Sequence, residues 1–270
     1  MTIRLVAMDL DDTLLSDDWT ISSRVVKAVQ KAQAQGVKMT IATGRMSISA
    51  RPYAEQLGVD VPVITYHGAM IQHALSGDIL FRRVIPSAVA AEIIRYVGQR
   101  GVYVQVYLKD RVIATELNEW SREYARMASV PIEKEDLSVL LSQEPEGVEK
   151  ILMMAEEADL DQLAPILGQR YGEKVHITKS KPHFLEMTDR TVNKGVALAA
   201  LAEHLGIAQA EVMAIGDSFN DLEMIKYAGI GVAMGNARAE IKEQADIVTV
   251  TNEEDGVAEA IERYVLARIL

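Results

Sequence analysis

Short, almost wholly apolar runs alternate along this chain with longer segments whose apolar residues recur every three or four positions. The runs at 3–8, 37–42, 61–66, 211–215, 230–233 and 247–249 have strand length and are mostly apolar. They therefore predict strands, the first of them buried on both sides. Between them lie helical patterns. Ser22 or Ser23 caps one that carries Val25, Val26, Ala28, Val29 and Ala32 and stops at Gly36, the usual place for a residue of positive φ. Others run over 48–57 to Gly58, 194–205 to Gly206, 219–228, 237–244 and onward from 255. A hairpin is expected from 70–73 and 79–82 around Ser76-Gly77-Asp78. Strand alternating with helix predicts a parallel sheet with crossover connections.

The rhythm changes after residue 83. Pro86 suits the first turn of a helix reaching Arg100. Two strands, 102–108 and 111–115, follow across Lys109-Asp110 as an antiparallel hairpin. A polar stretch with Trp120, Tyr124 and Pro131 leads to a strand at 147–155, a helix at 160–171 and strands at 174–178 and 183–188. Helix-strand-strand occurs twice, and Gly98-Gln99-Arg100 is echoed by Gly168-Gln169-Arg170. The pattern predicts an α/β fold, a doubly wound Rossmann-like parallel sheet core over 1–83 and 188–270. An α+β domain with an antiparallel sheet is inserted at 84–187.

Composition narrows the function. The 270 residues allow two domains, and 49% hydrophobic with 25% charged content is ordinary for a globular chain. A net charge of −11 argues against a broad nucleic-acid footprint but leaves room for a small anionic substrate held by a local cation. Without cysteine, disulfides, thiolate metal sites and a cysteine nucleophile are excluded. No leader-like or membrane-length apolar segment stands in the sequence, so the cytoplasm is the expected compartment and no membrane partner is expected. A monomer and a homodimer fit the acidic surface equally.

Reactive residues collect where the predicted strands end. In Leu5-Val6-Ala7-Met8-Asp9-Leu10-Asp11-Asp12-Thr13 an apolar run gives way to three carboxylates and a hydroxyl. Alternation along an extended backbone sets Asp9 and Asp11 on one side, where crowded carboxylates call for a cation, most economically a divalent metal bound by oxygen. An acidic turn is the plainer alternative. Thr43-Gly44-Arg45 ends the second strand, and Gly216-Asp217-Ser218-Phe219-Asn220-Asp221 ends the fourth. Asp221 lies one helical turn past Asp217, so their carboxylates can face one point; a simple helix cap would also use Asp. Lys194, at a helix start in Asn193-Lys194-Gly195, is a solvated lysine or a cation for phosphate. In open α/β sheets, ligands bind beyond the carboxyl ends of the strands.

Taken in order, these four stations resemble those of the haloacid dehalogenase-like phosphatases. Asp9-x-Asp11-x-Thr13, Thr43, Lys194 and Gly216-Asp217-x-x-x-Asp221 match the four motifs, and the insertion resembles the type IIB cap. His183-Phe184-Leu185-Glu186 and Asn252-x-x-Asp255-Gly256-Val257 narrow the resemblance to Cof-type phosphatases of sugar phosphates and related metabolites. His67 departs from the pattern, because relatives commonly carry Asn-Gly-Ala where this chain has His67-Gly68-Ala69. The resemblance assigns it no role; its loop follows the third strand, where it could touch substrate, and a hydrogen-bonded structural histidine is the favoured reading. Asp12, where many relatives have Gly, is read as non-catalytic.

The resemblance implies a Mg²⁺-dependent phosphatase of small phosphorylated metabolites, such as sugar phosphates, flavin mononucleotide or pyridoxal phosphate. Asp9 would be the nucleophile and Asp11 the acid/base. Leu10, Thr43, Gly44, Arg45, Lys194 and Asn220 would line the phosphate and substrate. Asp9, Asp11 and Asp217 would hold the metal, with Asp221 directing waters or Lys194. Lys181, His183 and Glu186 are candidate substrate contacts, with plain hairpin surface as their alternative. A phosphotransferase or phosphomutase would use the same intermediate. A receiver-like phospho-accepting domain would lack Asp11 and the insertion, and a non-catalytic binding protein would not fill every station.

Overall fold

The computed structural model describes residues 2–268. Its strands, in chain order, are β1 Leu5–Met8, β2 Lys38–Ile41, β3 Val63–Thr65, β4 Met70–Gln72, β5 Ile79–Arg82, β6 Tyr103–Leu108 and β7 Arg111–Ala114. They continue with β8 Ile132–Lys134, β9 Lys150–Met154, β10 Val175–Lys181, β11 Phe184–Asp189, β12 Val212–Gly216, β13 Ile230–Ala233 and β14 Ile247–Val248. The chain divides into two compact units. One takes residues up to 44, 50–81 and from 193 on; the other takes 45–49 and 82–192, against the 84–187 read from the sequence.

The first unit holds a parallel sheet in the order β14-β13-β12-β1-β2. A parallel bridge, Ala42 to Ile64, continues it toward β3. Register is set by apolar alternation on both faces. Leu5, Ala7, Val212 and Ala214 pack with Ala197, Leu198 and Leu201 of helix Lys194–His204. Val6, Met8, Met39, Ile41, Met213 and Ile215 pack with Val25 and Val29 of helix Ser23–Ala34 and Val257 and Ile261 of helix Gly256–Tyr264. Each such side chain contributes about 1.5–3 kcal/mol when removed from water, and a one-residue slip would exchange the two sets. This is a doubly wound Rossmann-like core whose winding reverses between β1 and β12. Ser22 caps its helix as expected, accepting from Val25 N at 3.2 Å. The 70–82 hairpin forms, with β3-β4-β5 as a small separate sheet.

The second unit is the α+β domain, a six-stranded sheet in the order β10-β11-β9-β6-β7-β8. Helices Ser87–Gly98 and Glu157–Tyr171 supply Ile93, Val97, Leu160, Leu163 and Leu167 to its core beside Val106, Ile151 and Met187. Two features differ from the sequence reading. The polar stretch around Trp120 is ordered into helix Glu119–Ala128, strand β8 and helix Leu137–Gln143. Their signals were caps rather than apolar runs: Asn118 and Ser121 form a capping box, and Asp136 accepts from Ser138 N and Val139 N. The sheet is also not wholly antiparallel, because β8 pairs parallel to β7 after the helix between them returns the chain.

Candidate active site

β1 ends at Met8, and Asp9 follows with φ −66° and ψ 162°, its N–H donating to Ile215 O of the neighbouring β12 at 2.9 Å. The chain then tightens through Leu10–Leu14, with Asp12 at φ 58°. Asp9 is buried, whereas Asp11 is half-buried and lines a concavity of about 180 Å³ with Asp12, Leu15, Ser16, Asp17 and Trp19.

The partners of Asp9 come from the far end of the chain. Lys194 Nζ lies 2.5 Å from Asp9 Oδ1 and 2.6 Å from Asp221 Oδ1, and both Lys194 and Asp221 are fully buried. Asp221 Oδ2 accepts from the backbone N–H groups of Asp217 and Ser218, each at 3.1 Å. The Asp217 carboxylate accepts from Thr13 Oγ1 at 2.9 Å. Carboxylate oxygens of Asp9, Asp217 and Asp221 lie within 4.8 Å of one another. Two glycines allow this closeness. A Cβ on Gly216 would sit 2.5 Å from Asp221 Cβ, and one on Gly195 would sit 2.5 Å from Glu223 O. Asn193 caps the Lys194 helix, accepting from Val196 N at 2.8 Å.

One ammonium among two buried carboxylates and a half-buried third leaves a negative balance. Burial pushes the Asp9 carboxyl well above the ordinary range, and Asp221 adds to the rise against the pull of Lys194. Burial, then Asp221 and Asp12, pushes Asp217 up to about 8. For Lys194, burial works against the charge, but Asp221 and Asp9 outweigh it and hold the ammonium above its usual value. A divalent cation seated among these oxygens would reverse the rise in both carboxyls. An all-oxygen donor set with this surplus charge suits Mg²⁺.

Thr43 is buried just past β2, its N–H donating to Ile64 O at 2.9 Å and its carbonyl accepting from His67 N at 3.0 Å. Gly44 is where the His67 ring packs: a Cβ there would meet His67 Cε1 at 2.2 Å. Asn220 is buried, and its Nδ2 lies 3.3 Å from His67 Nδ1. Tyr66 and His67 hold φ of 51° and 56°. Such conformations cost about 1–3 kcal/mol each in a non-glycine residue and persist only where surrounding contacts enforce them.

The remaining candidates belong to the second unit. Arg45 groups with the second unit and is buried, with Nη1 3.4 Å from Ser49 Oγ. Glu186 is not hairpin surface: it pairs with Lys150 at 2.7 Å, the two side chains 4% and 2% exposed. Lys150 Nζ also lies 4.3 Å from the Tyr107 ring centre. His183 is exposed, its Nδ1 3.1 Å from Ala155 O, and Lys181 is half-buried at the end of β10. The sequence reading left Thr13 with no task beyond its motif and His67 as a structural histidine without a named partner. The hydroxyl in the first motif and the His departure were the available signals.

The family model for haloacid dehalogenase-like hydrolases matches residues 6–261. The chain is 34% identical to the 5-amino-6-(5-phospho-D-ribitylamino)uracil phosphatase YcsE of Bacillus subtilis, over 98% of this chain and 96% of that protein. It is 31% identical to YitU, a phosphatase of the same name from that organism, over 96% and 97%. A solved haloacid dehalogenase-like hydrolase from Bacteroides thetaiotaomicron superposes with a TM-score of 0.86 at 32% identity, covering 97% of this chain and 99% of the other. Among the described residues, no helix is long and apolar enough to cross a membrane. The chain belongs to the haloacid dehalogenase-like hydrolase family, as a Cof-type phosphoric monoester hydrolase.

Proposed function

We propose that the protein hydrolyses small phosphate monoesters with Mg²⁺ through an aspartyl-phosphate intermediate on Asp9. The observation that carries this is the buried Asp9–Lys194–Asp221 chain with Asp217 beside it. Phosphoryl transfer asks mainly for positioning and charge stabilisation, and this cluster supplies both. Asp9, Asp217 and the Asp11 carbonyl would hold the metal, which when bound neutralises charge on phosphate oxygens.

Asp9 attacks phosphorus, and the bond to the ester oxygen breaks as Asp11 donates its proton to the leaving oxygen. Asp11, now a carboxylate, takes a proton from water. The resulting oxygen attacks phosphorus, the Asp9–phosphorus bond breaks, and inorganic phosphate leaves. Thr43, Gly44 and the Leu10 backbone border the phosphoryl group, and Lys194 offsets its charge. Asp221, with both oxygens already engaged, holds Lys194 in place. For the substrate we favour a phosphorylated sugar or polyol, a class that includes the ester in the names of the two Bacillus subtilis relatives.

Purified protein should release phosphate from such esters with Mg²⁺ and stop on chelation. Asp9→Asn, isosteric and folded, should lose at least about 10³-fold in kcat. Turnover near that of the unaltered enzyme would overturn the covalent route.

A further inference from the structure

We infer that His67 is a positioning residue that fixes the Asn220 amide so that its oxygen serves a hydrogen-bond donor on the organic part of the substrate. The inference rests on the phosphatase reading and deepens it, adding a hydroxyl or amine near the ester to the substrate's required features.

His67 sits where three of the chemical stations converge. Its backbone N–H donates to Thr43 O at 3.0 Å, and its ring occupies the space that any side chain at position 44 would need. The next residue, Gly68, has φ 98° and approaches so near that a Cβ would lie 2.3 Å from Asn193 O, the cap residue of the Lys194 helix. Tyr66 and His67 both take the left-handed conformation to make this turn. Two successive strained residues in so packed a place are a mark of function rather than of economy.

The side-chain contact has a defined sense. Asn220 Nδ2 can only donate, so His67 Nδ1 accepts and the ring proton of the neutral form stands on Nε2. That fixes which end of the amide points away from His67. Asn220 Oδ1 is buried, in a residue only 8% exposed, and has no partner among the described residues. Native proteins rarely leave a buried acceptor unused, and one that remains calls for a partner such as a bound ligand. A dianionic phosphate ester brings no donor at its phosphate, so a substrate donor to this oxygen belongs to the alcohol part. Placement beside Asp221 at the entry of helix Leu222–Tyr227 puts this acceptor next to the reaction centre. A site built around such a contact discriminates strongly against esters that lack the donor.

The test compares glucose 6-phosphate with phenyl phosphate, which carries no hydroxyl, using the Mg²⁺-loaded enzyme. Asn220→Ala and His67→Phe, the latter filling the slot against Gly44 without an acceptor, should each lower the ratio of kcat/KM for the two esters by about tenfold. The double variant should fall no further than Asn220→Ala alone, and His67→Asn, whose amide oxygen can accept, should restore most of the ratio. Additive losses, or a His67→Phe ratio equal to that of the unaltered enzyme, would overturn the inference. Nitrogen NMR of ring-labelled His67 supplies a readout that needs no turnover. It should show a bare Nδ1 and a protonated Nε2, with the Nδ1 signal moving in Asn220→Ala; a proton on Nδ1 overturns the inference. An unaltered enzyme that hydrolyses neither ester would count instead against the phosphatase reading, and the NMR result would still decide the His67–Asn220 link.

Discussion

A single methyl group at position 216 would disturb the site more than most side-chain deletions. The Cβ of Gly216→Ala would lie 2.5 Å from Asp221 Cβ and 2.8 Å from its Oδ2, closer than real contacts allow. Asp221 must then swing, and it carries with it the Lys194 ammonium it binds at 2.6 Å. A displacement near 1 Å in a positioning network costs on the order of 10² in rate. Gly216→Ala should therefore lose about two orders of magnitude in kcat while melting as a single folded species, measured by steady-state kinetics and circular dichroism. The glycine was visible in the sequence as a tight exit from a strand. That its hydrogen faces Asp221 was not, because the contact depends on how the turn at Phe219–Asp221 folds back over β12.

At the scale of elements, the helix Lys194–His204 shows how local and tertiary effects divide the work. Its start is written locally: Asn193 satisfies the N–H of Val196, and Gly195 admits the neighbouring chain at Glu223. Replacing Asn193 with Ala should cost about 1 kcal/mol of stability, read as a lower midpoint in urea with an unchanged slope. It should also raise KM, since the first turn carries Lys194. The strands and their helices were legible because burial on both faces leaves nearly continuous apolar runs. Helix Glu119–Ala128 was not, since it buries only Ser121, Tyr124 and Ala128, and Leu137–Gln143, with Leu137, Leu140 and Leu141 buried, is too short for its period to stand out. Strand β8 escaped as well, being half-exposed at the sheet edge.

For the whole molecule, the surplus negative charge of the buried cluster ties stability to pH and to cation binding. Asp217 is raised to about 8, so the folded state binds its proton more tightly than the unfolded chain, whose carboxyls titrate near 4. The stabilising contribution is then full below about pH 4 and is lost as pH climbs through about 8. Asp9, raised in the same direction, adds to the trend. Chelated protein should thus show the site's contribution to Tm falling between about pH 4 and 8. Asp217→Asn should flatten that fall, and saturating Mg²⁺ should raise Tm most at the alkaline end, as a ligand bound only by the folded state does. A Tm gain from Mg²⁺ that ignored both pH and Asp217→Asn would put the metal elsewhere.

The sequence by itself determined the α/β core, the inserted α+β domain and the residues of the four stations, because apolar periodicity and short motifs are local properties that survive in one dimension. It placed Asp9, Lys194, Asp217 and Asp221 on one list, but it could not rank their contacts. Only the tertiary structure decided that Asp9 shares Lys194 with Asp221, that Thr13 serves Asp217 and that His67 holds Asn220. Those pairings join residues up to 204 positions apart. Their geometry is set by sheet order and by the close approaches at Gly44, Gly195 and Gly216, which no stretch of chain encodes alone.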